Sequence, residues 1–134
     1  MNLRVGFGFD VHQLKKKKKL IIGAVNIPFS KGTVAHSDGD VLIHAICDAL
    51  LGAASLGDLG MNFPDTDQAF KNISSLVLLE KVFEKLNGLS YKVSNIDTTI
   101  VLQEPKMQPF ISEMKKRISN VLKVSSDKVS IKAS

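Results

Sequence analysis

Residues 3–12 read LRVGFGFDVH, and the rest of the chain is organised around this stretch. Apolar side chains alternate with small or polar ones, a pattern that predicts a β-strand. Because alternate side chains of a strand share a face, Asp10 and His12 project together, as two ligands of one metal ion must. Gly6 and Gly8 lie on the same face and leave room for a neighbouring group to approach closely. A metal site here needs a third ligand from elsewhere.

A predicted helix supplies that ligand. It begins at a cap formed by Ser37 or Asp38 and runs to about Leu51. At 100° per residue, its polar side chains form one stripe: Ser37, Asp40, His44 and Asp48. The other helix residues are too apolar for a freely solvated helix, so we interpret the stripe as a site, with His44 as the third ligand. Two imidazoles and one carboxylate with an open fourth position describe a catalytic zinc site.

The residues on either side of this helix offer contacts for an anionic ligand. His36 lies at the predicted helix N-terminus, where backbone amides favour phosphate; taken alone, it would read as a surface histidine near a cap. Two turn-rich segments follow the helix, GDLG at 57–60 and FPDTD at 63–67. They read either as loops that touch substrate or as Asx-turn connectors, and the sequence alone leaves both interpretations open.

The remaining elements predict the fold class. Residues 20–28 form a predicted strand that pairs with the first as a hairpin. Further along, the patterns predict a helix from Ser74 or Ser75 to about Leu86, a strand at 93–102, a helix at 109–121 and a strand at 129–133. This order predicts a layered α+β protein with a mixed four-stranded sheet and helices packed on one face. Residues 1–134 are predicted to form a single domain.

Composition limits the partners. A chain of 134 residues that is 44% hydrophobic and 23% charged is typical of one soluble globular domain. The net charge of +5 comes from the run Lys15 to Lys19, without which 13 basic residues would balance 13 acidic ones. We place this run at a solvated hairpin tip, a reading favoured over phosphate attraction. Neither a nucleic-acid partner nor a membrane is expected. The single cysteine, Cys47, excludes an internal disulfide and is predicted to be a buried thiol rather than a nucleophile.

Six motifs in order along the chain carry a resemblance. They are GFDVH at 8–12, AHSDGD at 35–40, DALLGAA at 48–54, LGDLG at 56–60, FPDTD at 63–67 and PKM at 105–107. Together they resemble the 2-C-methyl-D-erythritol 2,4-cyclodiphosphate synthase family, across essentially all of the chain except the lysine run. The resemblance implies a metal-dependent lyase of the non-mevalonate isoprenoid route. In that reaction the 2-phosphate of 4-diphosphocytidyl-2-C-methyl-D-erythritol 2-phosphate attacks the β-phosphate, closing a cyclic diphosphate and releasing CMP.

The resemblance also implies roles for particular residues and an assembly. Zn²⁺ would be held by Asp10, His12 and His44, in agreement with the ligand set reached from the strand and helix. Phosphate would be held by His36 and Ser37, the methylerythritol by Asp58, Gly60, Phe63, Asp65 and Asp67, and the cytidine by Pro105, Lys106, Met107 and Ala133. Pro105 to Met107 also read as a turn before a helix. The assembly would be a homotrimer with active sites between neighbouring subunits.

The chain departs from the family in two places. The lysine run replaces a loop that is usually short and less basic. Beyond Ala133 the family continues with a segment that includes a glutamate ligand for Mg²⁺ or Mn²⁺, and this chain does not contain that glutamate. We expect that the sequence omits such a C-terminal segment; a chain that truly ended at Ser134 would release CMP slowly. A bacterial protein of this kind is expected in the cytoplasm, and a eukaryotic one in a plastid-type organelle.

Two other functions fit parts of the sequence. A zinc phosphohydrolase would share the metal site but would need a water and a general base, for which Asp40 is the candidate. A non-catalytic trimeric binding protein would keep zinc and lack the nucleotide half of the site. The products distinguish the three functions. The synthase would give cyclic diphosphate and CMP, the phosphohydrolase would give free phosphate and a linear alcohol, and the binding protein would give no product.

Overall fold

Helix α1 (Val41–Ala53) contacts elements from both halves of the chain in the computed structural model, which describes residues 2–134. Its apolar residues are largely buried, together with His44. The predicted helix is confirmed, but its first residue is Val41, so the predicted caps Ser37 and Asp38 are wrong. The cap is Asp40, whose side chain accepts a hydrogen bond from the Ile43 amide.

Asp40 joins α1 to a distant turn. Its carboxylate is completely buried and also accepts hydrogen bonds from the amides of Gly23 (2.9 Å) and Ala24 (2.7 Å). Burial raises the pKa of Asp40 to about 6, although the three amide donors act to lower it. One side chain therefore fixes both the start of α1 and the position of the Gly23–Ala24 turn.

The strands form three separate pairs. Strand β1 (Leu14–Lys16) is antiparallel to β4 (Lys31–Thr33), and β2 (Leu20–Ile22) is antiparallel to β3 (Val25–Ile27). Strand β5 (Ile96–Ile100) is parallel to β6 (Val129–Ala133). Both pairing senses occur, but residues 2–134 form three two-stranded sheets and not the single four-stranded sheet that we predicted.

The prediction for residues 20–28 failed because this stretch turns back on itself. Gly23 and Ala24 both have positive φ, 61° and 65°, and the tight turn that they form pairs β2 with β3. The lysine run is accordingly not a hairpin tip. It starts within β1 and turns at Lys17 toward β2, a strand with which β1 is not paired.

The segment before β1 differs most from its prediction. Within the described residues 2–134, residues 3–12 pair with no strand, so the predicted β-strand is wrong. Alternation of apolar and polar side chains predicts an extended backbone, but it does not show that a neighbouring strand is there to pair with it. The predicted close approach at the glycines is confirmed: a Cβ on Gly6 or Gly8 would lie 1.8 Å from the carbonyl oxygen of Ala49 or Ala45 in α1. The other face is exposed, including 85% of Phe7.

Three further α-helices follow α1 within residues 2–134. Helix α2 (Leu59–Asn62) lies in the predicted loop region, α3 (Ser75–Gly88) begins at the predicted Ser74 cap, and α4 (Ile111–Leu122) begins two residues later than predicted. Helix α3 packs on α1 and α4, and α4 packs on β6. Cys47 is buried as predicted, and burial raises the pKa of its thiol. In residues 2–134, no helix is long and apolar enough to cross a membrane.

Replacing Asp40 with alanine tests its joining role. We expect Asp40→Ala to lower the free energy of unfolding by at least about 3 kcal/mol, because three amide donors lose their buried acceptor at roughly 1–3 kcal/mol each. The measurement is urea-induced unfolding. Ser74→Ala, which removes an exposed cap of α3, is the control and should cost only about 1 kcal/mol. Equal losses in the two variants would contradict the role of Asp40.

Candidate metal centre

Three side chains converge where the N-terminal segment crosses the first turns of α1. Asp10 Oδ2 lies 2.7 Å from His12 Nε2 and 3.2 Å from His44 Nδ1. The two ring nitrogens are 3.1 Å apart. The structure thus brings together the three residues that the sequence selected, although Asp10 and His12 lie outside any strand.

The electrostatics of this group follow from its proximity and partial burial. Burial raises the pKa of Asp10, but hydrogen bonds and charge attraction from His12 and His44 outweigh it and hold that pKa below its usual range. The hydrogen bond with Asp10 raises the pKa of His12, although burial opposes it. The group therefore contains an ionised carboxylate beside an imidazole that holds its proton more tightly than usual.

The donor set fits a metal ion. Asp10, His12 and His44 each offer one ligand atom, and these atoms lie within 4.8 Å of one another. Two imidazole nitrogens and one carboxylate oxygen match the donors that zinc accepts in catalytic sites. The ring nitrogen of His44 that faces away from the group is already engaged by Ser75 (2.8 Å) and Ser37 (3.1 Å), which leaves Nδ1 for a metal.

A cavity of about 420 Å³ opens beside the metal-binding group. Its lining includes His12 and His44 together with five of the predicted site residues: His36, Ser37, Gly60, Phe63 and Asp65. The ring of His36 donates from Nε2 to the carbonyl oxygen of Asp67 (3.1 Å), which ties the 63–67 loop to the AHSDGD segment. The cavity therefore joins the metal-binding group to residues predicted to touch phosphate and sugar.

A larger groove of about 900 Å³ borders the N-terminal segment. Its lining includes residues 6–12, five residues of α1 and residues 95–103 of the β5 region. Asp10 lines this groove, His44 lines the smaller cavity, and His12 lines both. The metal-binding group therefore borders both open spaces.

The structure does not bring every predicted residue to the cavity. Asp58 and Asp67 use their carboxylates as helix caps, accepting from the amides of Met61 (2.8 Å) and Ala69 (2.9 Å). Within residues 2–134, neither cavity is lined by the four residues predicted for cytidine: Pro105, Lys106, Met107 and Ala133. Met107 is buried in the core, and Ala133 pairs with Ile100 in the β5–β6 ladder.

Sequence reasoning missed two residues on the Nε2 side of His44, the side that faces away from Asp10 and His12. Ser75 was predicted only as one of two candidate caps of α3, and Asp38 only as a candidate cap of α1. In the fold they touch each other: the Ser75 hydroxyl and amide both donate to the Asp38 carboxylate. Their separation of 37 residues left no local pattern that could have linked them.

The fold and the site define a small α+β protein with a metal-binding group of two histidines and one aspartate beside an open cavity. A family model described as the YgbB family matches residues 3–134, and the chain belongs to that family. A relative from Lachnospira eligens, named 2-C-methyl-D-erythritol 2,4-cyclodiphosphate synthase, is 55% identical over 131 residues, which cover 98% of this chain and 72% of that protein. A synthase of the same name from Clostridium botulinum strain Okra is 56% identical, with coverages of 98% and 84%.

Solved structures agree with the sequence relatives. A 2C-methyl-D-erythritol-2,4-cyclodiphosphate synthase in a CDP-bound form superposes with a TM-score of 0.92 at 32% identity. The superposition covers 97% of this chain and 87% of that one. The resemblance drawn from the six motifs is therefore confirmed at the level of the family.

The raised pKa of His12 predicts how metal affinity depends on pH. A proton must leave His12 before its ring nitrogen can bind Zn²⁺, and a raised pKa keeps that proton on at higher pH. We expect the Zn²⁺ affinity of the metal-free protein to fall by about tenfold per pH unit below the pKa of His12. Competition with a chromophoric chelator between about pH 8 and about pH 6 measures it. An affinity that stays constant after correction for the chelator would contradict the prediction.

Proposed function

We propose that this chain catalyses the cyclisation of 4-diphosphocytidyl-2-C-methyl-D-erythritol 2-phosphate to 2-C-methyl-D-erythritol 2,4-cyclodiphosphate, with release of CMP. The observation that carries the proposal is the Asp10, His12 and His44 group at the wall of a cavity that His36 and Ser37 also line. Relatives that are 55% and 56% identical bear the synthase name. The reaction belongs to isoprenoid biosynthesis.

The chemistry asks the protein mainly for positioning and charge neutralisation. An oxygen of the 2-phosphate forms a bond to the β-phosphorus, and the bond from that phosphorus to the α,β-bridging oxygen breaks, so that CMP leaves with the electron pair. No external nucleophile takes part, and the two phosphates must be held close and in line. Zn²⁺ held by Asp10, His12 and His44 would supply Lewis-acid stabilisation of phosphate charge.

The cavity residues divide into proposed roles by their chemistry. His36 and Ser37 lie next to the metal-binding group and offer donors to phosphate oxygens. Gly60, Phe63 and Asp65 line the same cavity and would hold the methylerythritol. Asp58 and Asp67 cap the short helices around it, so their part in sugar binding would run largely through their backbone and through the loop shape that they maintain.

The cytidine site is proposed to form between subunits of a homotrimer. Pro105, Lys106, Met107 and Ala133 line neither cavity of residues 2–134, which fits a nucleotide site completed by a neighbouring copy. A CDP-bound relative of the same fold supports a cytidine nucleotide as the ligand. Residues 1–134 are proposed to act as a single domain in that assembly. The bacterial origin of the relatives with 55% and 56% identity favours a cytoplasmic enzyme.

The structure counts against the phosphohydrolase alternative. That reaction needs a general base that can reach a water in the cavity, and Asp40 was the candidate. Asp40 is completely buried and accepts three backbone amides, so its carboxylate does not face the cavity.

Removing a metal ligand tests the proposed role of the metal. With the proposed substrate, Zn²⁺ and Mg²⁺ present, we expect Asp10→Ala and His44→Ala to lower the rate of CMP release at least about 100-fold, since metal stabilisation of phosphate charge is worth several kcal/mol. Phosphorus NMR follows the cyclic diphosphate, and chromatography follows CMP.

A matched variant and the products decide the outcome. Glu113→Gln changes an exposed glutamate on α4 that pairs with Arg117 and lines neither cavity of residues 2–134, and it should leave the rate unchanged. Free phosphate with a linear product would support hydrolysis instead. Binding of CDP without turnover in the unaltered chain would support a binding protein.

A further inference from the structure

The ring of His44 is held from both edges. Its Nδ1 edge faces Asp10 Oδ2 at 3.2 Å and His12 Nε2 at 3.1 Å. Its Nε2 edge faces the hydroxyl of Ser75 at 2.8 Å and that of Ser37 at 3.1 Å. Because each edge has its own partners, the contacts of Ser75 and Ser37 with Nε2 decide which ring nitrogen is free to bind a metal.

The Ser75 hydroxyl has a defined direction. Its proton is given to Asp38 Oδ1, while the Ser75 amide donates to Asp38 Oδ2 at 2.8 Å. With its proton committed to a carboxylate, the Ser75 oxygen can only accept from His44 Nε2. His44 therefore carries a proton on Nε2, so Nδ1, which faces Asp10 and His12, is the ring nitrogen that a metal ion can bind.

These contacts are built into the fold. Ser75 is completely buried at the start of α3, and the Asp38 carboxylate also accepts from the Asp40 amide at 3.1 Å. The backbone of Asp38 donates to the carbonyl oxygen of Ile73 at 3.1 Å, and that of Asn72 donates to the carbonyl oxygen of His36 at 2.7 Å, so two backbone hydrogen bonds join the segment before α1 to the segment before α3. Ser37, in contrast, lines the cavity and remains available to a ligand there.

We propose that Asp38 and Ser75 are positioning residues, which hold His44 in the tautomer and orientation that present Nδ1 to the metal. The negative charge of Asp38 polarises the Ser75 hydroxyl, which in turn strengthens its hydrogen bond from His44 Nε2. This hydrogen bond also makes Nδ1 a stronger ligand for a cation. Partners of this kind behind a metal ligand typically change metal affinity by 10- to 100-fold. The proposal rests on the proposed metal site but not on turnover.

The test compares Ser75→Ala with Ser74→Ala by Zn²⁺ binding in the absence of substrate. We expect Ser75→Ala to weaken Zn²⁺ binding by about 10- to 100-fold. Ser74→Ala is the matched control, because Ser74 caps the same helix by accepting from the Leu76 amide. It should lower the unfolding temperature slightly and leave Zn²⁺ affinity unchanged. Equal losses of affinity in both variants would show that only the start of α3 matters and would overturn the proposal.

A second readout reports the tautomer directly. In metal-free protein labelled with ¹⁵N-histidine, nitrogen–proton correlation spectra of the three histidines should show His44 protonated at Nε2. Loss of this pattern in Ser75→Ala supports the proposal, and its persistence with unchanged Zn²⁺ affinity overturns it. If Ser75→Ala does not fold, Asp38→Ala, which removes the acceptor of the Ser75 proton, replaces it in both measurements, with the same two outcomes. Because neither readout uses the substrate, a failure of the proposed synthase activity would be seen separately.

Discussion

The buried carboxylate of Asp40 is the constraint on which the rest of the structure depends. It accepts the Ile43 amide at the start of α1 and the amides of Gly23 and Ala24 in the β2–β3 turn. The same turn is held from the other side, where Arg117 in α4 donates to the carbonyl oxygen of Ala24 at 2.6 Å. A hairpin and two helices therefore meet at one point, and His44 lies one helical turn from it.

The metal centre depends on contacts of different sequence range. Asp10 and His12 are two residues apart, so extended backbone alone places them on one side. His44 is 32 residues beyond His12, and its ring is oriented by Ser75, another 31 residues along. Local geometry thus supplies two ligands, whereas the third is set by packing between α1 and α3.

The features that could be predicted from the sequence are those set by residues close together in the chain. The convergence of Asp10, His12 and His44 could be predicted because alternation and helical spacing are local properties, and the same holds for α3, α4 and β6. The cap of α1 could not. The Asp38 carboxylate accepts from Ser75 and the Ser37 hydroxyl contacts His44 Nε2, so Asp40 is left to cap the helix. The β2–β3 hairpin was missed for a related reason, because Ala24 adopts a positive φ in a turn that a remote carboxylate holds.

The way in which residues 3–12 are attached couples cation binding to the local stability of this segment. Residues 3–12 lack strand partners within residues 2–134. They are held by the close approach of Gly6 and Gly8 to the α1 backbone, by hydrogen bonds from Arg4 to Ala53 and Ser55, and by the metal-binding group. A cation bound by Asp10, His12 and His44 would cross-link the segment to the helix, and its binding free energy would oppose detachment of the segment. Amide hydrogen exchange in residues 3–12 would then slow in proportion to cation occupancy, while exchange in α3 and α4 would change far less.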